Sequence, residues 1–143
     1  MTDEPNSDRP SATIGPLQLI VYAEVGVGLP ASVSEGKFVQ VVLEHQEYLV
    51  FAPFARHRFH NQILAEFLEA NDILVIWASQ SELVFCSPGL RVLGGGRFRA
   101  DPESRVLKLW DESTAYGRFH EQGLAERLGA SEHPWSGYLL EIS

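Results

Sequence analysis

The chain has 143 residues, 45% of them apolar and 21% charged, with a net charge of −8; this is the profile of one folded domain with its own core. That balance argues against nucleic acid as a partner, since binding there relies on cationic side chains that neutralise phosphates, and against docking on an anionic membrane surface. Cys86 is the only cysteine, which excludes an internal disulfide, and no apolar run approaches the ~18 residues of a membrane span.

The opening, MTDEPNSDRPSATIGP, is acidic and proline-punctuated and lacks the basic and apolar regions of a signal peptide. It predicts a disordered tail over residues 1–15, a domain over 16–143 and a cytoplasmic location. LQLIVYAEV (Leu17 to Val25) predicts a strand, and GVGLPASVSEG a loop. KFVQVVLEH and EYLVFAP, from Lys37 and Glu47, predict a hairpin. HNQILAEFLEAND predicts the first helix: Ile63, Leu64, Phe67 and Leu68 recur at helical spacing, with Glu66 and Glu69 turned away. DILVIWA and ELVFCS are two further β-type runs. LRVLGGGRFRA and RVLKLWD, divided by the turn signal DPES, predict a second hairpin. GRFHEQGLAERLGA predicts a second helix broken at Gly123 and capped at Gly129, and GYLLEIS a last strand. Strands outnumber helices and hairpins outnumber βαβ units, so the expected class is α+β: a mostly antiparallel sheet packed by two helices.

Several familiar motifs fail on spacing. Only four residues separate Cys86 from Arg91, where cysteine-dependent phosphatases have five, and Cys86 is expected to be a buried structural cysteine. GGGR is followed by no Lys-Ser/Thr pair, so it is not a nucleotide-binding P-loop. His57 and His60 have no acidic or cysteine partner at a metal-ligand spacing.

Three stretches taken together are more specific: VLGGGRF, DESTAYG and RFHNQI. Leu93-Gly94-Gly95-Gly96-Arg97 followed, after one hairpin, by Ser113-Thr114-Ala115-Tyr116-Gly117 resembles the phosphohistidine phosphatase (Janus/Ocnus) family, as does Phe59-His60 at the start of the first helix. The resemblance runs from about Gly36 to the end. It implies the fold of that family, with Ser113–Gly117 opening the second helix. It also implies hydrolysis of an N–P bond with no metal or other cofactor, on a phosphorylated protein or a small phosphoramidate. His60 would be the catalytic base, and Asn61, Arg97, Ser113, Thr114 and Ala115 would bind phosphate. The sequence departs from the family in two places and is longer in a third. The family's phosphate-holding strand lysine falls on Val39, and an upstream arginine falls near Ala52. The apolar stretch Ile73–Gly89 is longer than its counterpart.

The residues themselves allow this chemistry. A helix N-terminus offers unpaired N–H groups to phosphate, and a neutral imidazole accepts a proton from water. Each residue also has a structural reading. His60 is either a general base or a helix-start histidine with a structural hydrogen bond. Ser113 either contacts phosphate or initiates a turn. Arg97 either contacts phosphate or pairs with Asp111 or Glu112. Arg56, Arg58 and Arg118 either replace the charge absent at Val39 or form a solvated rim. The three glycines admit either a packing helix or a ligand. The alternative to an enzyme is a member of the same fold that binds an anionic ligand or partner without turnover, or serves a small-molecule pathway.

Overall fold

The computed structural model describes residues 15–23 and 32–143. The expected tail, apart from Gly15, and most of the loop after the first strand lie outside the described residues. The elements, in chain order, are β1 (Gln18–Val21), β2 (Ser34–Leu43), β3 (Gln46–Pro53), α1 (His60–Ala70), β4 (Val75–Trp77), β5 (Leu83–Phe85), β6 (Leu90–Asp101), β7 (Val106–Trp110), α2 (Leu124–Gly129) and β8 (Leu139–Ile142). Six strands form a sheet in the order β1-β3-β2-β6-β7-β8, and β4-β5 form a separate two-stranded sheet. The central pairs are antiparallel, while the outer pairs β1–β3 and β7–β8 are parallel. The class is α+β with a mixed, mostly antiparallel sheet. No helix among the described residues is long and apolar enough to cross a membrane.

Alternation along the strands divides the core in two, since successive side chains take opposite faces. Phe38, Leu49, Phe51, Phe98, Leu107 and Leu109 face α2 and Trp135. Val39, Val41, Val50 and Ala52 face α1, which buries Ile63, Leu64, Phe67 and Leu68 against them. These four are the helical stripe expected from the sequence. Glu66, expected to face away, instead lies half-buried and pairs with Arg56 and His57.

Three expectations need correction. The second helix is short: it starts at Leu124, after Gly123 at a left-handed φ of 71°, and residues 117–123 are not helical. Ser113–Gly117 therefore does not open α2. Cys86 is exposed. In β5, Leu83 and Phe85 turn inward against the α1 core, so the period of two sends Val84 and Cys86 outward.

The glycine run lies in β6, at the centre of the sheet. β7 pairs with β6 only from Arg97 to Asp101. Beyond that point the place beside β6 is taken by Gly117–Phe119. Gly95 N–H donates to Gly117 O at 2.9 Å, and Phe119 N–H donates to Gly95 O at 3.1 Å. The absent side chains make this possible. A Cβ on Gly94 would stand 2.3 Å from Arg118 O, and one on Gly96 would stand 2.6 Å from Trp110 O and 2.9 Å from the Phe119 ring.

Candidate anion site

Gly95 faces α1, and what fills its missing side-chain space is His60. A Cβ there would lie 2.8 Å from His60 Cδ2 and 3.1 Å from Nε2. The ring is buried, and its Nε2 lies 2.9 Å from Gly96 O. A carbonyl oxygen can only accept, so Nε2 carries the proton. In the neutral ring Nδ1 is then the basic nitrogen, and it has no hydrogen-bond partner among the described residues. Burial is the main influence on the ring and holds its pKa below the ordinary histidine value. Lys37 pushes it the same way, while the Gly96 hydrogen bond and Asp111 oppose.

His60 is the first residue of α1, and the cap before it is Phe59 in extended conformation. Phenylalanine has no oxygen to close the helix start, unlike the usual Ser, Thr, Asp or Asn. Gln62 turns back instead, its Oε1 accepting N–H bonds from Arg58 at 2.9 Å and Phe59 at 3.1 Å. The N–H groups of His60 and Asn61 are left without partners among the described residues, and the first turn holds no acidic residue.

Opposite stands the turn of residues 113–117. Ser113 and Gly117 exchange N–H···O bonds of 3.0 and 2.8 Å, and Ser113 Oγ accepts the Tyr116 N–H at 3.1 Å. Gly117 closes the turn at φ 81°, a left-handed value suited to glycine. Thr114 and Ala115, both exposed, keep unpartnered N–H groups at its tip, the arrangement of an anion-binding nest. Ser113 is buried and holds the turn; its hydroxyl proton is still available to donate.

The two segments line one cavity of about 520 Å³, whose wall includes Lys37, Phe59, His60, Asn61, Trp77, Glu112 and Ser113 to Ala115. Five of the six candidate residues from the sequence therefore come together. Asn61 does so as a fastener: its Oδ1 accepts the Tyr116 hydroxyl and its Nδ2 donates to Ser81 O at 2.8 Å, which leaves its backbone N–H and the second Nδ2 hydrogen as donors. Arg97 is the sixth, and it does not line the cavity. Its guanidinium lies between the Phe54 and Trp110 rings, at 5.3 and 5.6 Å from their centroids, and makes no ion pair with Asp111 or Glu112. Its Nε is buried without a hydrogen-bond partner.

Lys37 is the residue that sequence reasoning missed. Val39 is fully buried beneath α1, where no cation belongs. Lys37 lies two residues earlier, hence on the same face, and its Nζ stands 5.5 Å from the Phe59 ring centroid. A two-residue shift preserves the strand's alternation, so pattern alone cannot separate the two registers. The three arginines offered as substitutes do not line the cavity. Arg56 binds Glu66 and Ala23 O, Arg118 binds Glu121, Asp111 O and Ser143 O, and Arg58 is exposed.

Among the described residues, no group of three His, Cys, Asp or Glu side chains could hold a metal ion. No protein-family model matches the chain, and no curated protein matches it.

Proposed function

We propose that the chain is a phosphatase cleaving N–P bonds of phosphoramidates, phosphohistidine being the nearest model, with His60 as general base. The observation that carries the reading is His60 itself. It is a buried histidine with its tautomer fixed by Gly96 O and Nδ1 unpartnered, at the cavity shared by unpaired amides from two segments. The likeness of Leu93–Arg97, Ser113–Gly117 and Phe59-His60 to the phosphohistidine phosphatase motifs supports the same reading.

The chemistry follows from the donors. The N–H groups of Thr114, Ala115, His60 and Asn61 and the ammonium of Lys37 hold the three equatorial phosphoryl oxygens. Water attacks phosphorus in line, and its proton passes to Nδ1. The N–P bond breaks with its electron pair going to nitrogen, which receives the proton held at Nδ1 and leaves as the neutral amine or imidazole, while the second water proton stays on the phosphate and Nδ1 returns to its basic form. The loose transition state of phosphoryl transfer asks for positioning and charge stabilisation rather than a covalent intermediate.

The test is phosphate release from phosphohistidine, phospholysine and an ordinary phosphomonoester. The reading expects turnover of the first two above the third. Binding of inorganic phosphate without turnover of any of them would make the chain an anion-binding protein.

A further inference from the structure

The cavity is larger than a phosphoryl group requires. About 520 Å³ lies within the ~300–1,000 Å³ of pockets that enclose a whole small ligand. The extra room is supplied by the long apolar stretch after α1, which folds as the β4–β5 hairpin.

The alternation of that hairpin explains what it presents. Val75, Leu83 and Phe85 face inward and pack on the α1 core, while Ile76 and Val84 pair on the outer side. Trp77 stands two residues after Val75 and opposite Leu83, so it belongs to the inward face. It is nevertheless 42% exposed: unlike Val75, Leu83 and Phe85 it is not packed on the α1 core, and it forms part of the cavity wall. A shallower groove continues past it, lined by Gln62, Trp77, Ser79 and Gln80. The indole is thus partly uncovered on the inward side of the hairpin and presents a flat apolar surface in the same cavity as the unpaired amides.

Its placement is not left to a loose loop. Asn61 donates to Ser81 O in the β4–β5 turn and accepts from Tyr116 in the turn of residues 113–117. One side chain thus fixes the hairpin and the amide nest to the same helix start. The spacing between indole and anion is built into the fold.

We infer that Trp77 forms a second subsite, which stacks on a planar ring attached directly to the phosphoryl group and makes the cavity selective for ring-borne phosphoryl over alkyl-borne phosphoryl. A flat π-face is the surface an indole recognises best, and an acyclic chain offers none. This rests on the anion-site reading above, but not on turnover. The ring could belong to a free small molecule or to a protein side chain entering along the groove beside Ser79 and Gln80; the chemistry at Trp77 is the same.

The test is calorimetric binding of two non-hydrolysable probes, phenylphosphonate and methylphosphonate, to the full chain. The wild type is expected to hold phenylphosphonate about tenfold more tightly, the worth of one stacking contact. Trp77→Ala should abolish that preference and leave methylphosphonate affinity unchanged, and Trp77→Phe should restore part of it. Equal affinity for the two probes in the wild type would overturn the inference. So would equal loss of both in Trp77→Ala, and so would failure of either probe to bind. Absent hydrolysis with the expected binding pattern would remove the phosphatase reading and leave the subsite standing. A third arm, a short peptide carrying 4-phosphonophenylalanine, whose phosphorus is bonded directly to the ring as in phenylphosphonate, identifies the source of the ring: tighter binding than phenylphosphonate assigns it to a protein side chain, and exclusion assigns it to a free molecule.

Discussion

His60 combines two properties that usually conflict: it is buried, yet one ring nitrogen has no hydrogen-bond partner among the described residues. Burial favours the neutral ring, and the Gly96 carbonyl chooses which nitrogen is basic. His60→Ala should lower turnover of a phosphoramidate by roughly 10²–10⁴-fold, while phosphate binding persists on the backbone amides; an unchanged rate would assign the hydrolysis to another group. Because the folded pKa lies below the ordinary histidine value, the acid limb of kcat/KM should also fall below that value, about 6.5. Stability has the matching sign. Above the unfolded value both states hold a neutral ring; as pH falls from there through the folded pKa, the unfolded chain takes up the proton first and the fold loses stability. Urea unfolding in wild type and His60→Gln should diverge in that window. In the proposed site Lys37, which lines the cavity, takes the place of the cation that the buried Val39 cannot provide. Lys37→Met should weaken inorganic phosphate binding by about tenfold at low salt, and the difference should shrink as salt is raised, since Lys37 is only partly buried and lines an open cavity. Equal affinity in both proteins across salt would place the cation elsewhere.

At the scale of elements, the central device is a strand stripped of side chains so that other segments can close on it. Gly94 and Gly96 admit the Gly117–Phe119 segment on the α2 side, and Gly95 admits the His60 ring on the α1 side. Gly95→Ala is therefore an overpacking substitution that side-chain movement alone cannot relieve, since the new Cβ also meets the backbone oxygen of Phe38 at 2.7 Å. It should cost about 1–3 kcal/mol, a fall in melting temperature of several degrees. It should also displace the imidazole, so activity should drop further than the lost stability alone would cause. A folded Gly95→Ala protein with wild-type turnover would mean that the ring position is not critical. The glycines, the amphipathic first helix and the two hairpins were legible in the sequence because each is a local pattern. The extent of α2 was not: GRFHEQGLAERLGA reads as one helix broken at Gly123, but Phe119 is held by a backbone bond to Gly95, far away in sequence, and the helix starts only at Leu124. The role of Asn61 was hidden for the same reason, since both its partners come from other elements. Nor could spacing show that Arg97 would settle between two rings while Lys37 reached the cavity.

Across the whole molecule, the sheet separates the face that carries α1 and His60 from the face that carries α2, and one buried polar network lies on the α2 side. On the α2 side Gln40 accepts the His120 N–H at 2.7 Å and donates to Glu47, whose carboxylate receives two bonds from Arg127 of α2 at 2.7 and 3.1 Å. This network fixes the segment that runs from the turn of residues 113–117 to α2. It lies on the opposite face from His60, so its effect on the site passes through the backbone at Gly117–Phe119. Glu47 is 2% exposed, and removing Arg127 would leave its charge with only the Gln40 amide. Breaking a buried pair in this way costs about 3–5 kcal/mol, and the partly exposed Arg127 side chain places the expected loss near the lower end, about 3 kcal/mol. At 2–4 °C per kcal/mol the melting temperature of Arg127→Met should fall by roughly 6–12 °C. Phosphate affinity measured well below that temperature should stay close to wild type, because the ladder bonds at Gly95 still hold the turn. Glu47→Leu added to Arg127→Met should recover much of the loss, since no buried charge is then left unpaired. Melting at the wild-type temperature in the single variant would show that water already solvates Glu47. Loss of phosphate affinity with unchanged melting would show instead that the network acts on the turn itself rather than on the fold that carries it.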